Sequence, residues 1–578
     1  MSDRVSTLGY VTATVNSATD SAASGPVVVS LDASVTTRCR RRVHLDHDPR
    51  AAGEPQALPD PLIEQRRADA AAHRERIGAA LAAAHPEHWW RVPAAATAHE
   101  RAAATAEAVT AGARLIWGAQ LPRDQAAGRR GGAELLVRAP DGGYLPVIVV
   151  RHRITDPGAG ALTSPVLAPF PDRAAANPTR KIRSQPRDLL RLAHLARMLG
   201  GAGWAPAAEL AVSSLGGVIG MDADVVVWHD LQAEHWPGGR STLDEYDERF
   251  ADRVAVATAA AVGAPAMAHP SRITECRRCP WWPTCEAALT REQDVSLVVR
   301  GEVAVTMRSA GVGTVADLAE LDPAAEPPVP LPGMSFRDAV ALARAWQRGL
   351  SVVRRVARVP VPRADVEVDV DMESFGEAGA YLWGALLSYP GGVRPGDEPA
   401  GYRAFVTWDP VPTQDERRSF AEFWTWLSRI RSAAAASGRS FAAYCYNEQA
   451  ENRWLIASAR RFAGQPGIPR VAEVERFIAT PAWIDLFALV SEWFLCAHGK
   501  GLKRIAPAAG FAWRDPEAGG ENSMRWYRDA VGMDGAPPEL AQRQRLLRYN
   551  EDDVVATKAL REWMTSPAVE HVPLAADL

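Results

Sequence analysis

Asp365-Val366-Glu367-Val368-Asp369-Val370-Asp371-Met372-Glu373 alternates strictly between acidic and apolar residues. A period of two marks a strand with unlike faces, here one of valine and methionine and one of carboxylates alone. Like charges on one face repel, so five acids without a base imply a positive partner supplied from elsewhere, and a divalent cation is the economical candidate. The plain alternative is a charged surface strand, but such strands usually mix the two signs. Further strands are expected at Ala380 to Ser388, Arg403 to Trp408 and Phe441 to Tyr446. Between the last two lies a helix with Phe420, Phe423, Trp424, Leu427 and Ile430 on one face. A meander, a helix and a further strand predict an α/β mixed sheet.

Far downstream, Tyr549-Asn550-Glu551-Asp552-Asp553 is expected to open a helix running to about Trp563, with Tyr549 and Asp553 on one face. Val370-Asp371-Met372-Glu373 and this Y-x-x-x-D, roughly 180 residues apart, resemble the first and third motifs of DEDD-type 3′–5′ exonucleases. The resemblance runs from Ala364 to about Pro567 and implies an RNase H-like domain. Its middle motif, N-x-x-x-F-D, is matched in part by Tyr446-Asn447-Glu448-Gln449-Ala450-Glu451-Asn452, where Glu451 stands in for the aspartate. Trp483-Ile484-Asp485-Leu486 resembles the W-x-D-L of the same subfamily, although a helix cap would explain Asp485 equally well. On this resemblance Asp371, Glu373 and Asp553 hold two Mg2+ or Mn2+ ions. Glu451 and Asp485 compete for the fourth place, and Tyr549 orients the attacking water. The basic loop Gly499-Lys500-Gly501-Leu502-Lys503-Arg504 is expected near the cleft, holding phosphates.

A second motif lies mid-chain. Cys276-Arg277-Arg278-Cys279-Pro280-Trp281-Trp282-Pro283-Thr284-Cys285 sets three cysteines at C-x2-C-x5-C, and Cys39, in a similarly basic stretch, is the candidate fourth ligand. Cys445 and Cys496 lie in apolar runs and read as core. Four thiolates suit zinc or an iron–sulfur cluster. The spacing resembles the iron–sulfur staple of RecB-family nucleases over residues 28 to 290, which implies a [4Fe–4S] cluster on Cys39, Cys276, Cys279 and Cys285, with Zn as the alternative.

That resemblance also implies a nuclease centre built on a hairpin and the helix after it. The first strand, Ala133 to Arg138, offers Glu134; the second, Tyr144 to Arg151, bears no acid. Ile148 and Val150, or Val149 and Arg151, occupy the places of E-x-K, and Arg191 and Leu195 those of Q-x-x-x-Y. One glutamate cannot concentrate divalent charge, so this centre is expected to be inactive. His73, His99 and His152 are scattered and read as surface or core.

The 578 residues suffice for about three domains, and 47% hydrophobic with 23% charged residues is a globular composition. No run approaches the roughly 18 apolar residues of a membrane span, and Met1 to Tyr10 is too polar for a secretion signal, so a cytoplasmic protein is expected. A net charge of -4 gives no global basic field, although arginines cluster at 38–42, 179–187 and 353–358.

The expected organisation is a loose arm at 1–27, a RecB-like restriction-endonuclease-type α/β domain at 28–290, a helical segment at 291–360 and an RNase H-like domain at 361–578. Within the helical segment Ser309 to Leu318 resembles a helix-hairpin-helix, a proline-rich hinge follows from Asp322, and a helix is expected over Ser335 to Ala357. The combined expectation is a metal-dependent exonuclease acting on DNA, its first domain binding nucleic acid without cutting it. The alternative is a non-catalytic nucleic-acid-binding scaffold, or a subunit beside a helicase. No G-x-x-x-x-G-K-[ST] occurs, so any helicase is a separate chain.

Overall fold

The computed structural model describes residues 29–58, 62–183, 185–533 and 535–578; the expected arm at 1–27 lies outside them. The chain forms two compact units, Met1–Pro270 with Arg277–Thr284, and Ser271–Cys276 with Cys285–Leu578. The helical segment after residue 290 therefore clusters with the second unit.

In the first unit, α1 (Leu62–Ala84), β1 (Trp89–Arg91), α2 (Ala98–Thr110), β2 (Leu115–Gln120), β3 (Gly132–Arg138) and β4 (Tyr144–Val149) are followed by β5 (Leu162–Pro165) and β6 (Ala175–Ala176). Then come α3 (Pro186–Gly201), β7 (Leu215–Ile219), β8 (Val225–Asp230) and α4 (Thr242–Ala261). One sheet takes the order β1-β2-β3-β4-β7-β8-β5-β6. The expected hairpin is present: β3 and β4 pair antiparallel across a turn in which Gly142 adopts φ 96°, open to glycine at little cost. Every residue of β4 is buried, which is why it lacks polar alternation.

Beyond residue 300 the second unit holds α5 (Glu302–Ser309), α6 (Val315–Glu320) and α7 (Phe336–Gln347). The turn between α5 and α6 does not offer its amides to phosphate, because the N–H groups of Gly313 and Thr314 already donate to Asp317 at 3.0 and 2.8 Å. The helix expected to reach Ala357 stops at Gln347; Gly349 (φ 67°) follows, and the β-branched pair Val352-Val353 continues as a strand.

The rest of the unit is β9 (Val366–Ser374), β10 (Ala380–Ser388), β11 (Gly401–Val406), α8 (Glu416–Ala436), β12 (Phe441–Cys445), α9 (Gln449–Arg461), β13 (Trp483–Asp485), α10 (Gly520–Val531) and α11 (Leu540–Thr565). The sheet order is β11-β10-β9-β12-β13. The β9–β10 and β10–β11 pairs are antiparallel, and β9–β12 and β12–β13 parallel. This mixed sheet fits the expected RNase H-like arrangement. The apolar face of β9, Val366, Val368, Val370 and Met372, packs in one core with Trp383 and with Phe420, Phe423, Trp424 and Leu427 of α8. Its acidic face contacts α11. That helix starts nine residues before Tyr549, so the expected start is corrected: Asn550 to Asp553 resemble a cap but lie mid-helix.

Candidate metal centre

Strand β9 is packed by α8 on its apolar face and by α11 on its acidic face, which leaves Glu373 buried and Asp371 half-buried. Asp371 and Glu373, two apart, share a face, and the α11 turn carrying Asp553 crosses it. Asp371, Glu373 and Asp553 each place a carboxylate oxygen within 4.8 Å of the others, the one such trio among the described residues. Burial is the largest cause in all three: Asp371 stands well above the ordinary carboxylate range with the charges of Asp553 and Glu373 adding to it, Glu373 is pushed up to about 8 with Asp553 adding, and Asp553 is raised by burial against the opposing charge of Lys503. Three acids that resist ionising together fit a divalent cation, whose charge would let all of them ionise at once.

The two candidates for the fourth place separate cleanly. Glu451, in the first turn of α9, is 4% exposed, is pushed up to about 8 chiefly by burial, and adds to the raising of Asp371. Its buried Oε2 has no hydrogen-bond partner among the described residues, an orphaned acceptor beside the trio. Asp485 instead caps the following helix, its Oδ1 accepting from Phe487 N–H at 2.9 Å and from Asn447 N–H at 2.8 Å. Glu451→Gln is therefore expected to lower any metal-dependent cleavage about 100-fold. Asp485→Ala should instead cost about 1 kcal/mol of stability and keep cleavage within a few-fold. Parallel turnover and urea-melting series decide this.

Tyr549 stands one turn before Asp553 and hydrogen-bonds its carboxylate. The ammonium of Lys503, from the loop singled out for phosphates, lies 2.7 Å from Tyr549 Oη and 4.0 Å from Asp553 Oδ1. The neighbouring acids of α11 face away from the trio: Asp552 and Glu551 each bind Arg514 at 2.6 Å.

A supporting ring went unnoticed in the sequence. Asn550 Nδ2 donates to Asp371 Oδ2 at 2.7 Å, and Asn550 Oδ1 accepts from Tyr402 at 2.7 Å. Ser523 donates to Glu373 at 3.0 Å, and Trp513 Nε1–H donates to Asp553 at 2.7 Å. Asn550, beside the Y-x-x-x-D tyrosine, was findable; Trp513 and Ser523 carry no pattern. Gly384 faces Asp371 across the β9–β10 ladder, and a Cβ there would lie 1.7 Å from Asn550 Oδ1. Gly384→Ala is thus expected to displace the amide that holds Asp371 and to weaken Mn2+ binding about 10-fold, measured by calorimetry.

Not all of the acidic face belongs to the centre, and here the expectation of a wholly metal-bound face is corrected. Glu367 and Asp369, both fully buried, are neutralised by protein: Arg561 of α11 pairs with Glu367 and with Asp369 (2.7 Å), and Arg363 with Glu367 (2.7 Å).

In the first unit Glu134 binds Arg191 at 2.9 Å and accepts from Val149 N–H at 3.3 Å. His73 points to Gly220 O at 3.2 Å, His152 to Asp188 at 2.7 Å, and His99 is exposed. Of the four motif cysteines, Cys39 and Cys279 belong to the first unit and Cys276 and Cys285 to the second. Cys276 Sγ accepts the Ile273 N–H at 3.4 Å and donates to Ser271 O at 3.8 Å.

A family model of the RNase_H superfamily matches residues 427–565. The second unit thus carries an RNase H-like domain, consistent with nuclease chemistry. The match takes in Glu451, Asp485, Tyr549 and Asp553 and leaves β9, with Asp371 and Glu373, outside its bounds. No curated protein and no solved structure matches the chain. No described helix is long and apolar enough to cross a membrane.

Proposed function

We propose that the chain is a metal-dependent nuclease, a 3′–5′ exonuclease acting on DNA through the second unit. The observation that carries this reading is the converging trio Asp371, Glu373 and Asp553, with Asp371 and Glu373 raised by burial and by the charge of Asp553, set on a sheet of RNase H-like order. Their donor set is all oxygen, which suits Mg2+ or Mn2+. Bound ions would supply Lewis-acid activation of water and stabilise the departing 3′-oxygen. Around them Asn550 and Ser523 fix the rotamers of Asp371 and Glu373, and Trp513 fixes Asp553. Tyr549 is placed to orient the water, and Lys503 to meet the phosphate. The D-x-E and Y-x-x-x-D motifs favour the exonuclease form of this chemistry.

In the same reading the first unit is a RecB-like platform that binds nucleic acid without cutting it, and the four cysteines hold a [4Fe–4S] staple, with Zn the alternative. The C-x2-C-x5-C spacing supports the staple, and iron and labile sulfide analysis of anaerobically purified protein tests it. A cytoplasmic enzyme working beside a separate helicase fits the absence of an ATPase motif.

The decisive experiment is cleavage of 3′- and 5′-labelled single-stranded DNA and RNA with Mn2+. Laddering from the 3′ end of DNA is the expected result. Absence of cleavage with tight binding retained would replace the enzyme by a nucleic-acid-binding scaffold.

A further inference from the structure

The first unit contains a cavity of about 570 Å3, the size of a nucleotide, where β4, α3 and α1 meet. Its lining includes Arg74, Arg151, Arg187 and Arg191 together with Gly131 and Gly132. Two of these arginines are already matched, Arg151 by Asp69 at 3.1 Å and Arg191 by Glu134. The other two carry charge to spare. Arg74 forms no ion pair with a described residue. Arg187, 63% exposed, donates to Nδ1 of His152 at 3.2 Å and stays 3.8 Å from Asp188, whose carboxylate is taken by His152 Nε2–H at 2.7 Å.

The lining acid Asp32 is likewise occupied, accepting from Ser34 N–H at 2.8 Å beside Arg38 and Arg130. An adjoining hollow of about 300 Å3 shares Arg74 and Gly132 and adds Arg101, Glu134 and the Arg91–Glu75 pair, which meets at 2.7 Å. The buried Nε of Arg101 has no hydrogen-bond partner among the described residues. Fork-shaped donors, neutralised acids and an unfilled donor describe a site for an oxyanion. No trio of candidate metal ligands lies here among the described residues.

We propose that this cavity binds the phosphate group of a nucleotide, gripped by Arg74 and Arg187 while Arg191 stays locked on Glu134. This rests on the reading of the first unit as a nucleic-acid platform and adds its ligand and contacts. The phosphate comes either from a strand or from a mononucleotide released by cleavage.

Binding to the full-length protein in EDTA separates the sources, using fluorescence anisotropy of a labelled single-stranded DNA and calorimetry with dAMP. Arg74→Ala/Arg187→Ala is expected to weaken strand binding at least 10-fold and to lower its salt slope by about 1. Arg74→Gln/Arg187→Gln, which keeps length and hydrogen bonding, should do the same and covers a folding failure of the first pair. A matching loss for dAMP alone would support the site with a mononucleotide as ligand. Unchanged affinity for both ligands in a folded variant overturns the proposal. The nuclease reading is scored separately by Mn2+-dependent cleavage by the unmodified chain. A mutation-sensitive strand affinity without cleavage leaves the cavity standing and removes the enzyme, and cleavage with insensitive binding does the reverse.

Discussion

Replacing Asp371 by asparagine is expected to reduce cleavage about 10^4-fold and, in the same protein, to raise the melting temperature of the metal-free form by about 5 °C at pH 8. The two effects share one cause. Glu373 has a folded pKa of about 8 against 4.5 in the unfolded chain, because burial and the charge of Asp553 oppose its ionisation. Between those values the folded protein binds more protons than the unfolded one, so stability falls as pH rises. The metal-free wild type should therefore melt lower at pH 8 than at pH 6. Mn2+ should remove that loss, with an affinity that strengthens as the pH rises and protons cease to compete. Asparagine keeps the shape of Asp371 and removes a charge from the trio. The variant should melt higher in EDTA, depend less on pH and gain little from Mn2+. Calorimetric scans with and without EDTA at both pH values check this. A variant that loses cleavage but melts like wild type in EDTA at pH 8 would show that the trio is not held against its own repulsion.

Much of this centre was legible because strand alternation and helical spacing are local codes. Asp371 and Glu373 share a face by the period of a strand, and Tyr549 and Asp553 by the period of a helix. Contacts between distant segments have no such code. The amide holding Asp371 comes from α11, the hydroxyl on Glu373 from α10, and the glycine that admits Asn550 from β10. The start of α11 was misplaced for a local reason: Asn, Glu and Asp in succession favour a cap, but Arg514 binds Glu551 and Asp552 and makes them tolerable mid-helix. Glu451 and Asp485 were indistinguishable in sequence because a capping aspartate and a ligating one are the same residue until their partners are known. The cysteines stand at the opposite limit, where spacing says much and the division into two units adds nothing.

Arg561→Ala is expected to destabilise the second unit by about 3–5 kcal/mol, lowering its melting temperature by about 10 °C. Arg561 is fully buried, spans Glu367 and Asp369, and packs its guanidinium 4.3 Å above the Tyr444 ring. Without it Glu367 keeps Arg363 and the Tyr444 hydroxyl, but Asp369 loses its ion-pair partner and keeps only the weaker influence of Lys558. Burial already raises Asp369 to about 6 with Arg561 in place, so removing the arginine raises it further. Protonation in the folded state then relieves the penalty, and the deficit of the variant should shrink from pH 8 to pH 5. Replacing the group together, Glu367→Met, Asp369→Val and Arg561→Met, should recover most of the stability, since the loss comes from uncompensated charge. Urea melts of the single and triple variants at both pH values test this. Equal deficits at pH 5 and pH 8 would assign the loss to packing instead.

One strand carries so many acids because α11 meets its two halves with opposite charges. On α11, Tyr549, Asp553 and Arg561 fall at helical spacing on the side that meets β9. At one end of the strand the helix brings an arginine to Glu367 and Asp369, and that half of the face is neutralised. At the other end it brings another carboxylate to Asp371 and Glu373, and the repulsion left there is what a divalent ion would resolve.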